Sequence, residues 1–423
     1  MWPQPTYIWR WPDSGRARGA AIHILVIHDK PVEGGGIRRH VDDSAKLLRD
    51  AGHRVSLLRL GSRGDGAPDG TELVFPRTFD PIGGLRERAN LRRILHGLEP
   101  DLIHVHAGFT ALSSVLLREL SAGCATIGQF HDVGSFCYIG TRRFMSRDQL
   151  CGRRVGVECW CTGCYRPAEV GNALKGAVRS LVRADLLAAW RRLPRIVVPS
   201  RYLSELAALH GFVADRLRVI SNFCLSPSPG ETRQSDPPLI LFVGSLLRPK
   251  GAHLALEALA LVAEQRWKAV FAGEGPERAA LVEQSSRLGL AERIAFPGAL
   301  GRSDIGRLYA ECRMLVHAST MPESFGLVGI EAMSHAKPVV GFNLGGINEW
   351  LIDGETGVAA APWSVEALAS GILKLLQDPE LAARLGVAAQ IRTRSRFAPE
   401  RFVADMLAVY AEAMEEWRGL RST

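Results

Sequence analysis

The stretch Thr320-Met321-Pro322-Glu323-Ser324-Phe325-Gly326-Leu327-Val328-Gly329-Ile330-Glu331-Ala332-Met333 follows a short apolar run, Met314 to His317, and opens into an apolar helix. One carboxylate stands in the turn before that helix and a second stands inside it, eight residues later. Between them Gly326 lets the backbone approach a ligand closely, and the first helical turn offers N–H groups with no intrahelical partner. The positive end of a helix is a ready anion site, so a diphosphate can rest there. Glu331, pointing the same way, can accept hydrogen bonds from a ribose diol. The pattern suits a sugar nucleotide held by a strand–turn–helix unit.

The chain around that unit alternates strands and helices. Ile22 to Ile27 reads as a buried strand; it leads through Gly34-Gly35-Gly36 into a helix from about Ile37 to Ala51. Arg54 to Leu58, Leu102 to His106, Ala125 to Phe130 and Arg195 to Ser200 read as further strands. After a stretch rich in Pro, Ser and Gly the alternation restarts at Leu239 to Gly244, and continues with Lys268 to Gly273, Arg293 to Phe296 and Pro338 to Gly341. Short turns between such elements predict parallel, doubly wound sheets. At 423 residues the chain exceeds one comfortable core, so two α/β domains are expected. The expected boundaries are an N-terminal extension at 1–20, taken as flexible, a first domain at 21–225, a linker at 226–238, a second domain at 239–398, and a final helix within 399–423.

Composition narrows the function. Apolar residues make up 47%, an ordinary globular value, and no run approaches the ~20 apolar residues of a membrane-spanning helix. The opening Met1 to Pro12 lacks a signal-like apolar segment and cleavage site, which predicts a cytoplasmic protein. Residues 1–225 carry 32 Lys and Arg against 21 Asp and Glu, whereas 226–423 carry 20 against 23. A basic first half suits an acidic acceptor or an anionic membrane surface, and no nucleic-acid-binding pattern accompanies it.

The quoted stretch resembles the E-x7-E signature of the retaining, GT-B-fold glycosyltransferases of family 4. The similarity continues through Ala336-Lys337-Pro338-Val339-Val340-Gly341, Leu344-Gly345-Gly346-Ile347-Asn348-Glu349 and Asp353-Gly354-Glu355-Thr356-Gly357. Ordered matches at family-like spacing are more specific than one Glu pair. The resemblance implies two Rossmann-like domains facing a cleft, with the helix from about Pro399 to Trp417 crossing back onto the first domain. It implies transfer of a sugar from a UDP- or GDP-sugar to a glycan or lipid-linked hydroxyl acceptor, with no metal needed for catalysis. The alternative is an inactive module of the same fold that binds nucleotide or glycan as an assembly partner.

On the donor side, Gly244-Ser245-Leu246-Leu247-Arg248-Pro249-Lys250-Gly251 follows the first strand of the second domain. Family members place an Arg and a Lys here to neutralise the donor diphosphate. Lys250 matches the Lys; the Arg position is Ser245, and Arg248 is expected to take over. Gly273 and Gly275 resemble a turn near the nucleoside. The resemblance implies that Glu323 contacts the transferred sugar, that Ser324, Phe325, Gly326 and Leu327 meet the phosphates, and that Glu331 holds the ribose. Gly35 and Gly36, followed by Arg38, Arg39 and His40, resemble the loop lying across those phosphates.

His131-Asp132 ends a strand and matches a cleft histidine of the family, expected to orient the sugar, while His104 and His106 are read as packing or capping locally. An insert at 132–166 holds Cys137, Cys151, Cys159, Cys161 and Cys164. In a reducing compartment such a cluster suggests metal before disulfides, and four of the five thiolates would complete a zinc site or hold an iron–sulfur cluster. Beyond it, Lys175, Arg179, Arg183, Arg191, Arg192 and Arg195 stud a helical pattern with Leu174, Val178, Leu181, Val182, Leu186 and Leu187. That pattern would suit either a peripheral contact with an anionic bilayer or an ordinary surface helix.

Overall fold

A computed structural model describes residues 21–28, 36–61, 72–76, 85–106, 112–142, 149–156, 159, 164, 173–225 and 235–422. The first half builds a seven-stranded sheet in the order β3-β2-β1-β4-β5-β6-β7. Its strands are β1 (His23–His28), β2 (Arg54–Gly61), β3 (Glu72–Pro76), β4 (Leu102–His106), β5 (Thr126–Gln129), β6 (Ile196–Val198) and β7 (Leu217–Val219). The second half builds a six-stranded sheet in the order β10-β9-β8-β11-β12-β13. These are β8 (Leu239–Val243), β9 (Lys268–Ala272), β10 (Ile294–Gly298), β11 (Met314–His317), β12 (Val339–Phe342) and β13 (Gly357–Ala360). Every neighbouring pair is parallel. Parallel strands covered on both faces are apolar throughout, and β1 and β4 are buried along their whole length. The sequence reading missed β3, β7 and β13. β7 and β13 are only partly buried, unlike the equally short β6 and β12, so neither shows as an apolar run.

Helices cover both faces of each sheet. Ser113, Ser200, Ser364 and Asp378 each accept a backbone N–H of the first turn that follows, starting helices Ser114–Gly123, Arg201–Leu209, Val365–Gln377 and Pro379–Arg396 at those residues. The last helix runs Pro399–Ser422, longer than expected, and crosses back as expected. Phe402, Met406, Val409, Tyr410 and Ala413 from it pack with Ile24, Val26, Val41 and Ile127 of the first domain. The two crossings between domains lie side by side, since the Cys224 N–H donates to the Phe397 carbonyl at 2.9 Å. Residues 1–20, and 226–234 of the expected linker, lie outside the described residues.

Candidate active site

In open parallel sheets, ligands bind beyond the carboxyl ends of the strands. Here the strand ends of both sheets border one cleft of about 710 Å³. Gly36, Arg39, His40, His131 and Asn222 form the first domain's wall. The second contributes Gly244, Ser245, Lys250, Gly273, Ser324, Phe325 and Leu327, with Glu323, Gly326 and Glu331 among them. A recess of about 210 Å³ adjoins it between Asp132–Gly134, Gly140 and Met321–Ser324.

The second wall is held by short-range geometry. Gly326 sits at φ +83°, left-handed backbone that a side chain would strain, and an added Cβ would lie 3.2 Å from the Trp350 ring. From it starts the helix Leu327–Ser334, whose N-terminus has no side-chain cap and faces the cleft. Trp350, fully buried, donates from Nε1 to the Phe325 carbonyl at 2.6 Å and so props the turn from behind. The Thr320 N–H donates to the Pro249 carbonyl at 2.8 Å, tying the lysine loop to the glutamate loop. Lys250 Nζ then donates to Glu323 Oε1 at 2.7 Å. Burial opposes ionisation of Glu323, which is 8% exposed, but Lys250 and then His317 hold its carboxyl below the usual range. Inside the helix, Glu331 Oε2 accepts from the Tyr309 hydroxyl at 3.0 Å. Tyr309 is buried against that carboxylate, and both effects push its phenol well above its ordinary pKa, so it stays a donor.

Three expectations for this wall change. Arg248, expected to take over from the missing Arg at Ser245, is not among the cleft residues: its side chain is 68% exposed and reaches Glu277 at 3.7 Å. It lies in a single 3₁₀ turn, Arg248–Lys250, where successive side chains diverge, so Lys250 faces the cleft and Arg248 faces outward. Gly275 also lies outside the cleft lining; it packs under the preceding loop, where a Cβ would come within 2.4 Å of the Leu246 carbonyl oxygen. Gly35 falls outside the described residues, although Gly36 borders the cleft.

The first wall draws on residues far apart in the chain. His131 follows β5 and lies in the cleft as expected. His104 and His106 do more than pack locally. His106 Nδ1 lies 2.8 Å from His131 Nε2, and His106 Nε2 lies 3.0 Å from His104 Nδ1. His40 adds a fourth ring, 5.6 Å from His131 between centroids, its pKa lowered to about 4 by burial. Arg39, beside it, is with Lys250 one of the two cations among the described residues lining the cleft. The sequence reading noted Arg39 and His40 only as followers of the glycine loop, and it missed Asn222, His317, Tyr309 and Trp350. For Tyr309 and Trp350 no local motif exists; only the packing brings them to the site.

The cysteine insert is compact where it is described. Burial raises the pKa of the Cys159 thiol, with further contributions from Cys164, Cys137 and Cys151, so these four lie within electrostatic reach of one another. None of the described cysteines is in a disulfide. Among the described residues no three side chains are arranged to hold a metal ion, and Cys161, one of the five thiols of the expected site, lies outside the described residues. In the neighbouring helix Ala173–Trp190, Leu186, Leu187 and Trp190 are buried while Leu181 and Val182 are 70% and 62% exposed. Among the described residues no helix is long and apolar enough to cross a membrane.

Comparison with known proteins agrees with this fold. Residues 34–224 match the family model described as Glycosyltransferase Family 4, and residues 228–392 match that described as Glycosyl transferases group 1. The chain is 32% identical over 448 aligned residues to a D-inositol 3-phosphate glycosyltransferase of Salinispora tropica, covering 96% of this chain and 87% of that protein. It is 27% identical over 400 residues to a glycogen synthase of Mycobacterium tuberculosis, covering 87% and 88%. Among solved structures it is similar to a glycosyltransferase from Rickettsia africae, with TM-score 0.71 and 19% identity over 93% of this chain and 99% of that one. It is also similar to HepE of Anabaena in complex with UDP and glucose, with TM-score 0.69 and 22% identity over 92% and 99%. At these identities the solved structures speak for the shared fold.

Proposed function

The chain belongs to glycosyltransferase family 4, and on that premise we propose that it transfers a sugar from a UDP- or GDP-sugar to a hydroxyl acceptor with retention of anomeric configuration. The observation that carries this reading is the pairing of Lys250 with Glu323 at 2.7 Å beside an uncapped helix N-terminus, with Glu331 further along the same helix. A nucleoside diphosphate leaving group gathers negative charge as its bond to C1 breaks. Preorganised cations and amide dipoles lower the energy of that charge without reorganising at the moment of reaction. We assign this work to Lys250, the Leu327–Ser334 helix and, in place of the family's missing Arg, Arg39 from the opposite wall.

In this reading Glu331 binds the ribose diol and Glu323 meets the transferred sugar together with His131. The acceptor hydroxyl enters through the recess between Asp132–Gly134 and Met321–Ser324. Its oxygen bonds to C1 on the face the phosphate leaves, and its proton passes to the departing phosphate oxygen. No strong protein base is then required, which fits a Glu323 already engaged by Lys250. The exposed Leu181 and Val182, on the helix Ala173–Trp190 of the basic first half, fit a lipid-linked acceptor approached at an anionic membrane surface.

A panel of UDP- and GDP-sugars, with turnover and product anomer read by NMR, tests the proposal. Turnover of one donor with retained configuration is expected. An inverted product, or tight binding of a donor with no turnover, would overturn it.

A further inference from the structure

Both carboxylates of the donor wall are held at one oxygen by a protein donor, and the two donors differ in charge. Glu323 Oε1 takes Lys250 Nζ, a cation, at 2.7 Å. Glu331 Oε2 takes the Tyr309 hydroxyl, a neutral group, at 3.0 Å. Among the described residues Glu331 Oε1 has no protein partner, and Glu331 borders the cleft.

Tyr309 stands on the helix Arg302–Glu311, and its ring is 2% exposed. It shares a buried cluster with Leu241, Leu315, Phe325 and Ile330, so the core places the hydroxyl. Burial, and then Glu331, push the phenol well above its ordinary pKa, so the hydroxyl keeps its hydrogen. Two acceptors lie within reach, Glu331 Oε2 at 3.0 Å and the Val328 carbonyl at 3.3 Å. The carbonyl is neutral and already serves the helix ladder. The carboxylate is nearer and charged, so it takes the single hydrogen. A carboxylate has about four lone-pair sites, and one bond at Oε2 leaves Oε1 whole for a ligand.

A glutamate side chain that turns freely must be ordered when a ligand binds, and that ordering lowers affinity. Tyr309 orders Glu331 before the ligand arrives. It also does so without neutralising the carboxylate, and hydrogen bonds to an ionised acceptor are the stronger kind. We propose that Tyr309 is a positioning residue that sets the site's preference for ribose, holding Glu331 by Oε2 so that Oε1 meets the ribose diol of the donor. The proposal rests on Glu331 binding the ribose, as read above. A deoxyribose lacks a hydroxyl for the oxygen so presented, and the Tyr309 bond therefore carries part of the discrimination.

A cycle between protein and ligand tests this. Calorimetry measures binding of UDP, GDP and their 2′-deoxy and 3′-deoxy forms to the full chain as wild type, Tyr309→Phe and Tyr309→Met. Wild type should favour the ribo form of one diphosphate over a deoxy form about 10- to 100-fold, the worth of a hydrogen bond to a charged group. Tyr309→Phe removes one oxygen from a buried ring, and its melting temperature should stay close to wild type. It should weaken the ribo form about five-fold and the deoxy form less than about two-fold, so the preference shrinks. Tyr309→Met, which also lacks a donor, should shrink it equally. A tyrosine that only packs would weaken all forms alike, so an equal loss for ribo and deoxy forms overturns the proposal. An unchanged preference in both variants overturns it too, as does failure of both to fold, which would make Tyr309 a residue of the core alone. In each of those cases a ribo preference in wild type leaves the ribose assignment of Glu331 standing. A wild type that binds a diphosphate without ribo preference overturns that assignment and the proposal together. Binding of neither diphosphate overturns the nucleotide-sugar reading itself, and the proposal with it.

Discussion

The two walls of the cleft are built in different ways. The acidic part of the second domain's wall is almost contiguous: Glu323 to Leu327 and Glu331 belong to one strand–turn–helix unit, and Lys250 joins through a loop tied to it by the Thr320–Pro249 bond. The first domain's wall gathers His40, His131 and Asn222, backed by His104 and His106, from four separate places in the chain, and Tyr410 from a helix beyond the second domain. One wall depends on a local backbone path and one ion pair, the other on packing at long range. The first kind should fail in function when a single charge is lost, the second when its buried rings are charged.

The largest expected effect is at Lys250. Lys250→Met removes the cation nearest the leaving group and should lower kcat/KM about 10²- to 10³-fold, as loss of one preorganised transition-state donor does elsewhere. Initial rates with the donor identified in the panel measure it. A loss under ten-fold would shift the main electrostatic role to Arg39 and the opposite wall.

Glu331→Ala should weaken donor binding about 10- to 100-fold, the worth of a hydrogen bond to a charged group, with the fold intact. Calorimetric titration with the nucleoside diphosphate reads this. Unchanged affinity would remove Glu331 from the site and leave its Tyr309 bond as a packing feature.

Acid should separate the walls. Among the described residues, burial lowers the pKa of His23, His28, His40, His53, His104, His106 and His210 in the first domain, against His317 and His335 in the second. A histidine whose folded pKa lies below 6.5 takes up its proton more readily when unfolded, so stability falls as pH drops from 6.5 toward the folded value. For His28, His40 and His210, each lowered to about 4, the loss is about 2 kcal/mol apiece by pH 5. Glu323 behaves differently: its depressed pKa means that the ion pair's contribution is intact above about 4.5 and fades only as pH falls through the folded value. Hydrogen exchange at pH 7 and pH 5 should therefore show the first sheet losing protection before the second. Equal loss in both sheets would remove the distinction. The smallest effect should come from Leu181→Asp with Val182→Asp, which should weaken binding to vesicles containing anionic lipid about ten-fold and leave turnover of a soluble acceptor unchanged.

What was legible in the sequence followed the same division. Glu323, Gly326 and Glu331 could be named in advance from their spacing within one turn and one helix, and Lys250 from the family resemblance. The Ser245 substitution was visible too, but its compensation was not: Arg248 looked available, and a single 3₁₀ turn aims it at Glu277 instead. His104 and His106 were visible as a two-residue repeat in β4, yet their link to His131 depends on how β4 and β5 pair and on a helix about 300 residues away.

The sequence by itself determined the alternation of strands and helices, the doubly wound class and the glycine turn that opens the helix at Leu327, because hydrophobic period and backbone freedom are local properties; the return of the last helix was what the family resemblance implied. Only the tertiary structure decided which cations face the cleft, that four described thiols lie within electrostatic reach of one another, and that buried rings connect His131 with Tyr410. Those outcomes depend on side-chain direction and on contacts between residues distant in the chain, which no local pattern encodes.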